Sequence, residues 1–282
     1  MAGRLYSGPV KKNRPLLQLV REFALDLASC YDEPISLPMS PEFGAITLVP
    51  LGLKGDLVAL VKLAGLTRNF QRDTWSNEDG PGICHLCSAG QLGHSWHDIS
   101  YENMLLMRQD STLPWVQTPS LIAELPVDPR DLPGFFRLDV FHIMHKGNDT
   151  TSLCVYLEAK LKNIIPTISD DVREYFTDML LCVENGNKLM RLMYHCQLWL
   201  SKSERSSMIV YFRKLLTGFA SCAQHAYNRQ MCRFKLQPKF HFAGEVLFGL
   251  EHNQEWSRPS LNPISTAVQM DEDYIGRICS IC

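Results

Sequence analysis

The sequence predicts an α+β fold that is mostly helical, and two patterns lead to this prediction. Between residues 45 and 66, a run typical of a buried strand is followed by a tight turn and a helical pattern. From residue 138 onwards, apolar side chains recur at three- and four-residue steps, which is the period of an amphipathic helix. We therefore expect one short α/β unit followed by a mostly helical body.

The composition is that of a globular protein with one large domain or two modest ones. The chain has 282 residues, of which 45% are hydrophobic and 21% are charged, so it can bury a sizeable core. Its net charge is -2, from 28 basic and 30 acidic residues. Because a dedicated nucleic-acid-binding domain carries a strong basic excess, only a local basic patch remains for such a partner.

The expected compartment follows from the cysteines and from the lack of targeting segments in the sequence. We find no secretory signal and no apolar stretch of bilayer-spanning length. This predicts an intracellular chain without a membrane partner. The 10 cysteines are then expected to be thiols or metal ligands rather than disulfides.

The first predicted elements lie before residue 67. Residues 1–14 are expected to be a disordered basic lead-in, and Pro15 opens an amphipathic helix. A strand is predicted over residues 45–53, where Pro50 favours an edge or bulged position, and a helix over residues 57–66. The apolar face of the first helix consists of Leu16, Leu19, Val20, Phe23, Ala24, Leu27 and Ala28.

The later elements are predicted from apolar periodicity and from one capping signal. Residues 111–135 contain several prolines, which favours a loop or a wrapped segment. Asp171 and Glu174 resemble a capping box at the start of a helix. The periodicity predicts helices over residues 101–108, 188–200 and 207–227, and shorter elements are expected over residues 236–250 and 263–278.

The sharpest local signal is the pair Cys84 and Cys87. Two thiolates three residues apart can hold one tetrahedral ion in a tight turn, and the nearby Gly82 suits such a turn. The alternative is a pair of buried thiols. A redox pair is less favoured, because it would begin a helix after a strand, and the preceding Gly-Pro-Gly run is not typical of a strand.

The partners that would complete this metal site stay open in the sequence. His94 and His97 lie close enough along the chain to form a compact local site, whereas His241 is an isolated candidate. His142 and His145 are three residues apart, so one face of a helix would present both. A second pair of thiols occurs at Cys279 and Cys282.

Candidate catalytic carboxylates occur at two places. Asp56 lies where the predicted strand ends and the next helix begins, so it either caps that helix or binds one of two Mg²⁺ ions in a phosphoryl-transfer site. The acidic run 271–273, which includes Glu272, could supply another ligand or form a solvated acidic turn. Asp139 could orient a histidine or cap a helix.

Four cations near residue 230 could contact nucleic acid. Phe234 and Phe240 are interleaved with them, and cations with aromatic rings can follow a phosphate backbone. A solvated face beside core aromatic residues is the alternative that the pattern favours. The four cations are Arg229, Arg233, Lys235 and Lys239.

The order of these landmarks resembles that of cut-and-paste transposases of the CACTA and Plavaka type. Residues 51–66, LGLKGDLVALVKLAGL, followed by Cys84-x-x-Cys87, are similar to the family's GDLPA…K…G…CxxC stretch. Residues 137–142, RLDVFH, resemble its D-x-x-H motif, and residues 238–241, PKFH, resemble its PKxH segment. The landmarks are sparse and cover residues 15–275.

The resemblance implies an RNase H-like catalytic core with a long helical insertion. Residues 15–137 would form part of that core with the CxxC turn, and residues 138–282 would form the helical region that ends in the last core element. It also implies DNA as a partner and a nuclear location. The implied catalytic acids are Asp56 and Glu272, with Glu255 as a second candidate for the latter. Cys84 and Cys87 would hold a structural zinc ion with two of His142, His145 and His241.

The chain departs from the family pattern in ways that bear on activity. The family has a first catalytic aspartate on an earlier strand, and no acid before Asp56 lies on a plausible strand. The proline two residues after the middle acid is Val58 here. Because too few acids remain to hold two Mg²⁺ ions, we expect a truncated or degenerate relative that has lost strand cleavage. The alternative function is a zinc-stabilised interaction module, in which the helices of residues 165–230 bind a partner or form oligomers.

Overall fold

The computed structural model describes residues 14–36, 38, 42, 44–55, 57–68, 80–139 and 148–267. Within them the fold is α+β and mostly helical, which confirms the coarse prediction. No helix in this part of the chain has the length and apolar character to cross a membrane. The predicted lead-in lies outside the described residues, except that Arg14 already begins the first helix.

The first part of the fold combines helices with short strands. Helix α1 spans Arg14–Asp32 and contacts a later short helix, α4, of Ser120–Glu124. Strands β1, Ile35–Ser36, and β2, Ala45–Ile46, pair in antiparallel fashion. Strand β3, Leu53–Lys54, pairs in parallel with β4, Phe136–Arg137. Helix α2, Leu57–Ala64, follows β3 and ends before Gly65, whose φ of 59° is typical of a helix C-terminus.

The prediction of one strand over residues 45–53 is wrong. The segment contains β2 and the first residue of β3, separated by residues outside any strand. Pro50 has no N–H group for a ladder, and Leu48, Val49 and Leu51 are exposed rather than buried. The segment therefore lacks both the hydrogen bonds and the burial that a continuous central strand needs.

The middle of the chain contains more regular secondary structure than its prolines predict. Helix α3 spans Tyr101–Gln109, close to the predicted residues 101–108. Within the predicted loop 111–135, helix α4 begins directly after Pro119, and a 3₁₀ turn covers Leu132–Phe135. Proline is tolerated before a helix and in its first turn, because no intrahelical hydrogen bond is lost there. The prediction of a loop over residues 111–135 is therefore wrong at these two elements.

Four long helices form the second part of the fold. They are α5, Asn148–Ile164; α6, Asp170–His195; α7, Lys202–Asn228; and α8, Pro238–Glu255. In the described part of the shorter element expected over residues 263–278, the structure has a 3₁₀ turn, Pro263–Thr266.

Two details of this helical part differ from the sequence prediction. The pattern over residues 188–200 belongs to the end of α6, which stops at His195. The capping box is not at Asp171 and Glu174 but at Ser201 and Glu204, where each side chain bonds the other residue's backbone N–H and so caps α7.

Helix α8 lies between two hydrophobic cores. Phe242 and Phe248 belong to the first core, around α2, α3 and residues 83–89. Phe240 and Leu247 belong to the second core, which α6 and α7 also line. A helix that is apolar nearly all round is buried on most sides. Polar side chains on α8 are therefore placed deep inside the protein.

Candidate metal centre

The two cysteines lie in a closed turn. Gly82 has a φ of 77°, and a Cβ atom there would come within 2.8 Å of the Ala89 carbonyl oxygen. The Ile83 N–H donates to that same oxygen at 2.9 Å. The Leu86 N–H points to the Cys84 sulfur at 3.4 Å. Residue 82 must therefore be glycine, because its backbone is left-handed and because the Ala89 carbonyl lies too close to leave room for a side chain.

Contacts to its surroundings hold the turn in place. Arg68 donates from Nε to the Cys84 carbonyl oxygen at 3.1 Å and from Nη2 to the Thr112 carbonyl oxygen at 2.9 Å. The Ser88 N–H and hydroxyl both donate to the Met107 carbonyl oxygen at the end of α3. Both thiols are buried, with Cys84 0% and Cys87 1% exposed.

Helix α8 brings two further donor atoms to these thiols. His241 and Glu245 are four residues apart on one face of the helix, and both side chains are 0% exposed. Gly244 lies between them, where a Cβ atom would come within 2.6 Å of the Ile99 Cγ2. The absence of a side chain at that position lets α8 approach residues 96–99.

Four donor atoms from the turn and from α8 converge on one small region. The atoms of Cys84, Cys87, His241 and Glu245 all lie within 4.8 Å of one another. Cys87 Sγ is 3.2 Å from His241 Nε2, Cys84 Sγ is 3.5 Å from Glu245 Oε1, and that Oε1 is 3.2 Å from His241 Nε2. Ligand atoms around tetrahedral zinc are about 3.3–3.8 Å apart, given its bond lengths. The cluster could therefore hold a metal ion, and zinc is compatible with it.

A backbone contact sets the orientation of the histidine ring. His241 Nδ1 lies 3.1 Å from the Trp96 carbonyl oxygen. A carbonyl can only accept, so Nδ1 carries the proton and Nε2 is directed at the two thiols and the carboxylate. Histidines that bind metals are commonly oriented in this way by a hydrogen bond at the other ring nitrogen.

The site is strongly polarised even without an ion. Burial alone would raise the pKa of the Cys84 thiol, but hydrogen bonds with Cys87 and His241 lower it to about 5. Burial, together with the Cys84 thiolate, raises the pKa of Cys87. Burial opposes protonation of His241, but Cys84 and Glu245 raise its pKa to about 10. Burial likewise opposes ionisation of Glu245, yet Arg108 and His241 hold its pKa well below the usual range.

The charges balance when a divalent ion is bound. Two thiolates and one carboxylate carry three negative charges, and a divalent ion carries two positive ones. Arg108 adds the remaining positive charge, since its Nη2 lies 2.8 Å from Glu245 Oε2. A buried site with this balance avoids the large cost of an uncompensated charge.

The structure brings together three of the predicted metal ligands, Cys84, Cys87 and His241. His142, His145, Cys279 and Cys282 lie outside the described residues. The compact local site with His94 and His97 does not form: His94 Nε2 is 3.6 Å from an Asp110 carboxylate oxygen, and His97 contacts Ser95.

Sequence reasoning missed Glu245, although one signal could have pointed to it. Between Phe242 and Leu250, Glu245 is the single charged residue in an otherwise apolar run. An ionised carboxylate is rarely buried without a cation beside it. Its position four residues after His241 would then have placed both side chains on one helix face.

The predicted catalytic acids lie mostly outside the described residues, namely Asp56, Glu272 and the rest of the run 271–273. Glu255 is the last residue of α8, and its carboxylate accepts a hydrogen bond from the Tyr101 hydroxyl. Asp139 is buried at the edge of the described range.

The predicted basic residues surround the connection between α7 and α8. Arg229 lies over the Tyr175 ring at 5.5 Å. Phe234 and Phe240 both pack against Phe219, with ring centroids 5.6 Å and 6.0 Å apart. These two rings are therefore engaged in internal packing rather than presented to stack on bases. Of the four predicted cations, Lys239 is half-buried, and the exposed ones are Arg229, Arg233 and Lys235.

Fold and site together define a mostly helical α+β protein with a buried cluster of two cysteines, one histidine and one glutamate that could bind a metal ion. Comparison of the chain with protein-family models, curated proteins and solved structures yields no match.

Proposed function

We propose that this chain is a transposase-derived domain that is stabilised by a structural zinc ion and does not cleave DNA. The observation that carries the proposal is the meeting of two landmarks of the resemblance. Cys87 belongs to the CxxC stretch and His241 to the PKFH segment, and their donor atoms lie 3.2 Å apart although 154 residues separate them in the chain. The resemblance to the transposases implies that residues of these two segments bind the same zinc ion.

The character of the cluster supports a structural role for the metal. Catalytic zinc sites keep one position open to water or substrate, whereas structural sites are closed by four protein ligands. Here four protein donor atoms converge, and all four residues are buried. Thiolate and imidazole ligands also favour zinc over Mg²⁺ or Ca²⁺.

We place the catalytic remnant at strand β3, within an RNase H-like arrangement of residues 15–137. The support is that β3 pairs in parallel with β4 and that Asp56 follows β3 by two residues. Parallel pairing requires a long crossover connection, as in α/β cores. Two-metal cleavage needs several converging carboxylates, and no acid before Asp56 in this sequence lies on a predicted strand, so we expect no cleavage.

The test measures metal content and cleavage on the purified full chain. We expect about one zinc per chain and no nicking of supercoiled DNA with Mg²⁺ or Mn²⁺. A chain that purifies and folds without zinc would overturn the structural-metal proposal. Nicking that disappears in Asp56→Ala would overturn the proposed loss of activity, whereas nicking that persists in that variant would indicate a contaminating nuclease.

A second candidate function is a zinc-stabilised interaction module, in which the helices of residues 165–230 bind a partner or form oligomers. On α7, the apolar side chains of Val210 and Tyr227 are 47% and 79% exposed. Light scattering tests this candidate, because self-association that is lost in Tyr227→Lys would support it. Tight, salt-dependent DNA binding by the full chain would count against it.

A further inference from the structure

We propose that Glu245 is the fourth ligand of the metal centre, that it binds through Oε1 alone, and that Arg108 is the residue that positions it. This inference rests on the proposed zinc site and adds the identity of its fourth ligand. The transposase resemblance implies a second histidine at that position. A carboxylate held by an arginine is a different site, with a different charge and a different spectroscopic signature.

The two carboxylate oxygens of Glu245 have separate partners. Oε1 faces the cluster, 3.5 Å from Cys84 Sγ and 3.2 Å from His241 Nε2. Oε2 faces away and accepts hydrogen bonds from Arg108, at 3.1 Å from Nε and 2.8 Å from Nη2. With Oε2 occupied, one oxygen remains for an ion.

Acceptor atoms converge where a cation would lie. The proton on His241 Nδ1 is directed at the Trp96 carbonyl oxygen, so the ring offers a lone pair at Nε2 once the proton on that nitrogen has left. Glu245 Oε1 is an acceptor 3.2 Å from Nε2. In the metal-free chain the Nε2 proton lies between these two atoms, and a metal ion that displaces this proton would take the same place between two acceptors. The sulfur atoms of both cysteines complete the surroundings of that point.

Arg108 is itself held in place from several sides. It projects from α3, and its guanidinium carbon lies 5.6 Å from the centre of the Phe248 ring on α8. Its Nη1 is 3.6 Å from an Asp131 carboxylate oxygen. The side chain is only 22% exposed. A planar guanidinium with fixed neighbours can hold a carboxylate in one orientation, which a flexible lysine does less well.

A purely structural ion pair is the competing explanation. In that case Glu245 and Arg108 would stabilise the packing of α3 against α8 equally with and without metal. Arg213 and Glu251 offer a matched comparison, because they form an arginine–glutamate pair between α7 and the same helix α8. Neither residue belongs to the metal cluster.

X-ray absorption spectroscopy of the zinc-loaded full chain identifies the ligands directly. We expect two sulfur ligands, one imidazole recognised by its outer-shell scattering, and one oxygen. Two sulfurs with two imidazoles would overturn this inference and leave the proposed zinc site standing. A chain that binds no zinc would overturn the proposed function itself, so the two failures are distinguishable.

Competition with a chromophoric chelator tests the role of Arg108. We expect Arg108→Met to weaken zinc binding about 10–100-fold, the usual effect of removing a residue that orients a ligand, and Arg108→Lys to lie between it and the wild type. Arg213→Met and Glu251→Gln should leave the affinity unchanged. Equal affinities in Arg108→Met and Arg213→Met would overturn the positioning role. If Arg108→Met does not fold, Arg108→Lys decides, because wild-type affinity in that variant would equally refute the role.

Discussion

Zinc binding is expected to release about two protons from this chain both at pH 7 and at pH 9. In the metal-free chain, His241 has a pKa of about 10 and the pKa of Cys87 is raised, so each holds one proton. Cys84 has a pKa of about 5, and the pKa of Glu245 is lowered, so neither holds one. Both protons leave when the ligands bind a metal.

The sign and the size of the pH effect follow from this count. Protons compete with zinc, so affinity rises with pH, by about 100-fold or about 2.7 kcal/mol per pH unit when two protons are displaced. Ordinary thiols with a pKa of about 8.5 and an ordinary imidazole would together release only about 0.5 proton at pH 9. The difference between two protons and half a proton comes entirely from the buried cluster.

Isothermal titration calorimetry in buffers of different ionisation enthalpy measures the proton count directly. Cys87→Ser should lower the count by about one, because that residue contributes one of the two protons. Cys222→Ser is the matched control, since Cys222 is a fully buried thiol outside the cluster, and it should leave the count unchanged. A wild-type release of about 0.5 proton at pH 9, the count expected of ordinary thiols, would refute the assignment of protons within the cluster.

Three further perturbations probe stability. Removal of zinc by a chelator should lower the Tm measured by calorimetry by about 8–16 °C. Zinc at about 1,000 times its Kd adds about 4.1 kcal/mol to the free energy of unfolding, and each kcal/mol shifts Tm by about 2–4 °C in a protein of this size. An unchanged Tm would argue against a structural metal. Gly244→Ala should lower the free energy of unfolding in urea by about 1–3 kcal/mol, because the added Cβ atom would lie 2.6 Å from Ile99. Gly249→Ala is the control: its Cβ atom would meet open space, so this variant should raise the free energy of unfolding by about 0.5–1 kcal/mol. Equal effects of the two variants would contradict the predicted clash. Arg205→Met should lower the free energy of unfolding by about 1–3 kcal/mol, because the buried guanidinium of Arg205 donates to two backbone carbonyls. Arg213 is half-exposed, so Arg213→Met should lower it by less than about 1 kcal/mol. The reverse order of the two effects would contradict this explanation.

The elements that could be predicted are those whose signal is local. Helix α3 agrees with the prediction over residues 101–108, and α7, Lys202–Asn228, contains the predicted residues 207–227. Both depend on apolar spacing within one stretch of chain. Strand β3 was misjudged because its register is set by Phe136, a residue 83 positions from Leu53. No local pattern around residues 45–53 specifies that partner.

For the metal centre, the sequence by itself determined that Cys84 and Cys87 can hold an ion together, because that geometry depends only on a four-residue turn. It left several histidines as equal partners and did not point to Glu245. Only the tertiary structure decided between them, by packing α8 between two cores so that one of its faces meets the turn. The physical reason is that contacts over 154 residues depend on how whole elements pack, which residue spacing along the chain does not encode.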